Sequence, residues 1–305
     1  AIALYFTITS LWILMLIRFI HGIAFGFSST ATGTISSRII PENRKGEGIG
    51  YYGLSVTLAS AIGPFIGLVF NNHLGFKSIF AISLLSILIA FVLSIFIKKL
   101  PVLNNNIEAK DQPSGMHAYL QKEALPISLV VILIGVAYSS VLSFLSIYSE
   151  KINLVTTSSC FFIVFAIVTF ITRPFTGKIY DNYGENKVMY PVLLSFTFGL
   201  IILGFTHTSM ILLIAAAFIG FGYGTIVPTA QAIAIQRSPA NKMGLATSTF
   251  YIFADFGAGM GPFILGIIIP FIGYRHLYMA MGMLVIIALI LYYYVHGRMH
   301  KNPFN

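Results

Sequence analysis

Residues 22–80 of this 305-residue chain recur at residues 220–278, displaced by 198 positions. Gly22 and Gly26 return as Gly220 and Gly224, and Pro41, Asn43 and Gly46 return as Pro239, Asn241 and Gly244. The run Gly63-Pro64-Phe65-Ile66 returns as Gly261-Pro262-Phe263-Ile264, and Gly75-Phe76-Lys77 returns as Gly273-Tyr274-Arg275. Phe6 to Ser10 resembles Phe205 to Ser209 at a displacement of 199. Solenoid repeats run about 20–50 residues, so a period this long excludes them. It fits a duplicated membrane bundle, an arrangement that places binding sites between its halves.

The chain is 57% hydrophobic and 9% charged, where soluble domains carry about 25% charged residues. Its apolar stretches must face lipid. A spanning helix needs about 20 apolar residues. Nine such segments are legible, at 11–36, 48–70, 76–97, 125–149, 156–179, 188–206, 210–235, 244–270 and 275–296. Residues 1–8 read as the tail of one more. The single Cys160 excludes a disulfide framework and a cysteine metal cage, and its apolar surroundings predict a packed thiol.

The net charge of +9 orients the chain rather than marking a nucleic-acid partner. Alternate loops hold Arg38, Arg44, Lys45, Lys98, Lys99, Lys110, Lys122, Lys178, Lys187, Arg237, Lys242, Arg298 and Lys301. The opposite loops hold Lys77, Lys151 and Arg275. The first set is therefore predicted to be cytoplasmic, together with the C-terminus, in a multi-pass protein of the cell membrane. Residues 98–124 are polar, with Asn104, Asn105, Asn106, Pro113 and Gly115, and read as a cytoplasmic linker. It divides residues 1–97, a partial N-terminal bundle, from residues 125–305, a C-terminal bundle of six helices. The second half opens near Leu125, so its first-half counterpart falls about 73 residues before Ala1 by the repeat. The expectation is that at least two helices and most of a third precede Ala1.

Three motifs resemble the major facilitator superfamily, and within it the drug:proton antiporter group. Leu14-x-x-x-Arg18-x-x-His21-Gly22 resembles the family's buried-arginine motif, with His21 where Gln is usual. Ala59-x-x-x-Gly63-Pro64-x-x-Gly67 resembles its antiporter motif, with Ala59 and Leu68 replacing two usual glycines. Gly257-x-x-x-Gly261-Pro262 with Gly266 repeats it. The loop from Gly177 through Asp181 and Gly184 to Lys187 resembles the family's cytoplasmic loop motif, with Asn186 in place of a usual basic residue. The resemblance implies an all-α fold of two pseudo-repeated six-helix bundles, matched here from helix four to helix twelve. It also implies proton-coupled antiport, and a role for Arg18 in that coupling.

A charge at the bilayer centre costs about 2.5–3.5 kcal/mol or more, so Arg18 must face a cavity or a partner. Residues Arg18, His21, Gly22, Phe25 and Ser29 share one helical face suited to a lumen. The alternative for Arg18 is a structural ion pair. Asp255 is the acidic residue well inside a span and is able to load and release a proton; the alternative is a polar cap on a neighbouring helix. The family's coupling acid often lies in the first helix, which would make Asp255 secondary. Arg18 and Asp255 both break the repeat, standing opposite Ala216 and Thr57.

Pro64 and Pro262 each remove a helix hydrogen bond, and the glycines beside them admit close backbones. The resemblance gives this motif a sealing role between helices, and the alternative is a packing kink. Gly220, Gly224, Pro228 and Gln231 mark a comparable helix in the second half. The Asp181 loop is expected to cap neighbouring helices and latch one conformation. Tyr138, Ser139 and Ser143, with Tyr223 and Tyr251, are candidates for a cavity lining that suits weakly polar ligands, or for ordinary helix packing. His21 has no second metal ligand at helical spacing, and His207, His276, His296 and His300 look interfacial.

No Gly-rich loop followed by Lys-Ser/Thr is present, so a proton gradient rather than ATP is the expected energy source, with no cofactor. No G-x-S-x-G or HExxH motif points to an enzyme. The expected activity is export of a small amphipathic or drug-like compound by alternating access, from a monomer. The alternatives are an exporter of one solute, such as a sugar or metal-chelating metabolite, a membrane enzyme or receptor, and an inactive truncated gene product.

Overall fold

A computed structural model describes residues 2–7, 10–96 and 119–298. It is helical throughout that range: α1 (Leu11–Ile39), α2 (Lys45–Leu74), α3 (Phe76–Ile95), α4 (Leu125–Lys151), α5 (Val155–Tyr183), α6 (Asn186–Gly204), α7 (Ser209–Gln236) and α8 (Met243–Tyr292). Short 3-10 turns lie at Ile2–Thr7, Glu42–Arg44, Lys122–Ala124 and Ala240–Lys242, and a π turn at Tyr293–Gly297. Gly273, at φ 73° and ψ 169°, breaks α8 into two passes. Among the described residues seven helices, α1 and α3 to α8, are long and apolar enough to cross a membrane, and the break makes α8 two passes.

The duplication is visible in backbone detail at equivalent positions. Ser10 caps α1 by accepting the Ile13 N–H at 3.4 Å, and Thr208 caps α7 by accepting the Ile211 N–H at 3.4 Å. Each side-chain oxygen satisfies a donor that the first helical turn leaves free. Pro41 and Pro239 carry nearly the same dihedrals and each precedes a 3-10 turn that opens the next helix. Gly75 repeats the Gly273 conformation, at φ 81° and ψ 169°. Side chains with a Cβ are essentially excluded from that region, which is why glycine stands at both tight joints.

The core lies in the second-half helices, where Ile134, Phe196, Ile226 and Tyr278 are fully buried. By contrast α1 buries only Ile17, Gly33 and Ser37, and no described side chain of α3 is buried. Apolar groups such as Trp12, Phe91 and Phe271 face outward. In a bilayer this is the ordinary state of a lipid-facing stripe, since acyl chains solvate Leu and Phe as well as a protein interior does. The same reason corrects the expectation for Cys160: its thiol is exposed on α5, because an apolar run in a spanning helix faces lipid as readily as protein.

Helix alternation gathers Arg38, Arg44, Lys45, Lys178, Lys187, Arg237, Lys242 and Arg298 at one end, called the basic end below. Residues 97–118, with Lys98, Lys99, Lys110, Asn104, Asn105, Asn106, Pro113 and Gly115, lie outside the described residues, as do His300 and Lys301. Residues 2–7 form a 3-10 turn rather than the end of a spanning α-helix, and Tyr5 stacks on Phe80 of α3 at 4.9 Å.

Candidate functional site

The first- and second-half helices meet at the basic end through glycines. On α2, Gly46, Gly50 and Gly53 form one face. A Cβ at Gly46 would fall 2.2 Å from Tyr180 Cδ1, and one at Gly53 would fall 2.7 Å from Pro228 Cβ. Gly177 answers from α5, where a Cβ would lie 2.7 Å from the Glu47 Cα. Backbones this close leave no room for a substituted side chain.

Asp181 completes that contact. Its two carboxylate oxygens accept the Gly46 and Glu47 backbone N–H groups at 2.7 and 2.9 Å. These are orphan donors of the first turn of α2, where the helix dipole also favours an anion. Beside it, Glu185 is paired with Arg237 at 3.1 Å and with His296 at 2.9 Å. This corrects the interfacial reading of His296, which is buried; the π turn carries its ring inward onto Glu185. Lys187 is exposed, and Gly184 (φ 83°) makes the tight α5–α6 joint. Helix α1 meets α7 and α8 as well, with Gly33 against Thr247, Gln231 and Tyr251, and Ser37 Oγ against the Met243 sulfur at 4.0 Å.

Further toward the middle of the helices the halves part around a cavity of about 140 Å3. Tyr138 and Tyr223 stack at 3.5 Å between ring centroids and form one wall, with Phe165 beside them. Val56 and Gly53 of α2, Pro228 and Gln231 of α7, and Tyr251 of α8 also line it. A polar chain runs across the halves under this cavity. Gln231 Nε2 donates to the Tyr251 hydroxyl at 3.4 Å, Tyr52 stands next to Tyr251, and the Tyr52 hydroxyl meets Thr32 Oγ1 at 2.9 Å. Asp255, one turn beyond Tyr251, is close enough to Tyr223 and Tyr251 to act on both electrostatically.

The structure thus brings Tyr138, Tyr223, Gln231 and Tyr251 to one cavity, with Asp255 near it. It places the α1 stripe elsewhere. Arg18 is exposed, with its guanidinium carbon 5.3 Å from the Tyr5 ring centroid, and His21 Nδ1 lies 3.1 Å from the Tyr5 hydroxyl. That is a cation–π contact and a hydrogen bond on the same ring. Phe25 is exposed, and Ser29 bonds the Gly26 carbonyl of its own helix at 3.2 Å. Ser139 bonds the Val136 carbonyl and fills the space beside Gly261, and Ser143 is exposed. Gly257 and Gly261 admit the α4 backbone, where a Cβ at Gly257 would lie 2.4 Å from the Ile132 carbonyl oxygen. Pro262 lies inside α8 beside them. Gly63 has open space around it; Pro64 and Gly67 fall within α2, and their surroundings lie outside what is described. Among the described residues no group of three or more His, Cys, Asp or Glu is placed to hold a metal ion.

A sequence model of the Major Facilitator Superfamily matches residues 1–262 and 155–304. The chain belongs to the Major Facilitator Superfamily. Members of the superfamily similar to it include proteins named multidrug resistance protein MdtG. That of Salmonella arizonae is 24% identical over 87% of this chain and 67% of its own length. That of Dickeya zeae is 24% identical over 92% and 70%, and that of Klebsiella pneumoniae is 25% identical over 84% and 63%. The chain thus spans about two thirds of these relatives. Among solved structures, the human organic anion transporter MFSD10 superposes with a TM-score of 0.74 at 15% identity, over 95% of this chain and 73% of that one. The E. coli fucose:proton symporter FucP superposes at 0.62 and 16% identity, over 88% and 73%. Both show the superfamily fold. The protein is a multi-pass membrane transporter of this superfamily.

Proposed function

We propose that the protein exports small amphipathic compounds by proton antiport, binding them in the cavity between its halves. The observation that carries this reading is the cavity itself. It is walled by aromatic side chains from α4, α5, α7 and α8 and by α2 of the other half, and the Asp181 contact closes the basic end below it. The names of the curated relatives, multidrug resistance proteins, support the substrate class. The basic end is the cytoplasmic end by the excess of Lys and Arg. Rocking of the halves about the cavity exposes it in turn to each side. Asp255 carries a proton near the ligand, and Arg18 with His21 and Tyr5 acts on the same coupling from the other half.

Inside-out membrane vesicles holding the protein test this. An imposed inward-acid gradient is expected to drive accumulation of a lipophilic fluorescent dye, and a protonophore to abolish it. Arg18→Ala and Asp255→Asn are each expected to lower the gradient-driven rate about tenfold or more with the protein still inserted. Dye accumulation indifferent to the gradient would remove proton coupling. A response confined to one compound in a broad panel would favour a single-solute exporter.

A further inference from the structure

Arg173 is the least expected residue between the halves. It sits inside α5 and is 3% exposed. It belongs to none of the ion pairs among the described residues. Its position has a local cause. Pro228 inside α7 has no N–H, so the carbonyl four residues earlier, at Gly224, loses its helix partner. Arg173 Nη2 donates to that carbonyl. The crossing that allows it is a ladder, in which Thr169 Oγ1 donates to the Gly220 carbonyl at 2.8 Å one turn away. One carbonyl does not satisfy a guanidinium with five N–H groups. The Nε is buried with no partner. A cation removed from water is unfavourable unless its donors are engaged.

Two glycines of α2 stand beside the guanidinium. Nη1 lies 4.0 Å from where a Gly50 Cβ would stand, and Nη2 lies 3.8 Å from the same point at Gly53. Gly53 and Gly224, both beside the guanidinium, are part of the cavity wall, along with the Tyr138 and Tyr223 rings. Arg173 is not itself a lining residue; its fork of donors, with the orphan N–H, stands behind these glycines, and with the apolar aromatic walls it makes a receptor for a carboxylate that reaches between them from a ring held in the cavity. We infer that the cavity takes amphipathic anions, with Arg173 receiving the carboxylate and the Tyr138–Tyr223 wall receiving the apolar body. This rests on the cavity being the transport site, as proposed above.

The test compares 1-naphthoate with its neutral isostere 1-naphthamide by calorimetric titration of the purified full chain. The native protein is expected to bind the acid at least about tenfold more tightly than the amide, the factor given by one charge-assisted hydrogen bond. Arg173→Gln is expected to erase that preference and leave the amide within about twofold. Equal affinity of the native protein for both probes overturns the role of Arg173 while leaving the cavity as the ligand site. An acid preference that survives Arg173→Gln overturns it too, since another cation would then hold the carboxylate. Binding of neither probe overturns this inference and the cavity reading together. If Arg173→Gln fails to fold, Arg173→Lys keeps the charge and loses the fork. It is then expected to weaken acid binding at least about threefold with amide binding unchanged, and an unaltered ratio overturns the assignment.

Discussion

Asp181 ties the two halves together with one side chain. It spends both oxygens on the first N–H groups of a helix from the other half. Hydrogen bonds to charged groups contribute about 1.5–3 kcal/mol, so Asp181→Ala should shift the basic end toward opening by a factor of about ten or more. Maleimide labelling of Ser37→Cys reads this directly, because Ser37 is fully buried at the closed contact; Cys160, which is exposed, is replaced by Ser first. An unchanged labelling rate would remove Asp181 from the latch. The loop motif made Asp181 legible in the sequence, because an acid flanked by glycines after a spanning helix has few other uses. Arg173 was not legible as a site residue. Its partner is a backbone carbonyl freed by a proline 55 positions later in the chain, and no side-chain pattern records that. The Gly224-x-x-x-Pro228 spacing held the signal, since it names the carbonyl that must find a donor elsewhere.

At the scale of an element, α8 separates two uses of glycine. Gly273 holds φ 73° and ψ 169° and joins two passes, whereas Gly266 lies in the helix with open space around it. Gly273→Ala should cost about 1–3 kcal/mol of backbone strain and lower the thermal midpoint of the purified protein. Gly266→Ala should hold or raise it, since Gly in a helix interior costs up to about 1 kcal/mol relative to Ala. Equal midpoints for the two variants would refute the distinction. The membrane-length helices were legible because each is long and apolar. Which face of each pass meets protein was not. An apolar residue satisfies lipid and core alike, so Cys160 reads the same on either side, and the inward turn of His296 depends on a π turn that no composition signal marks.

For the whole molecule, the proposed cycle makes closure of the basic end and access to the cavity opposed states of one interface. Thr34 and Gly244 sit across it, with the Thr34 methyl 3.5 Å from where a Gly244 Cβ would be. The pair Thr34→Cys and Gly244→Cys, oxidised in a background without Cys160, should arrest gradient-driven efflux, and reduction should restore it. Efflux that continues through the cross-link would show that the basic end does not open during turnover. The two-bundle plan was legible from the repeat, since 198 positions separate like caps, like prolines and like joints. The cavity was not placed by the repeat, because apart from Gly224 its walls come from residues that the two copies do not share.

That last point has a geometric root in the contact at Gly33. Gly33 and Gln231 occupy equivalent positions of the two copies, and a Cβ on the first would lie 3.3 Å from the amide nitrogen of the second. A position that touches its own duplicate is close to the axis relating the copies, and here the two copies meet as one small residue and one large one, so that the volume the first gives up is the volume the second occupies. The doubled plan is therefore not carried through to its centre, where the two halves fit by unequal shares.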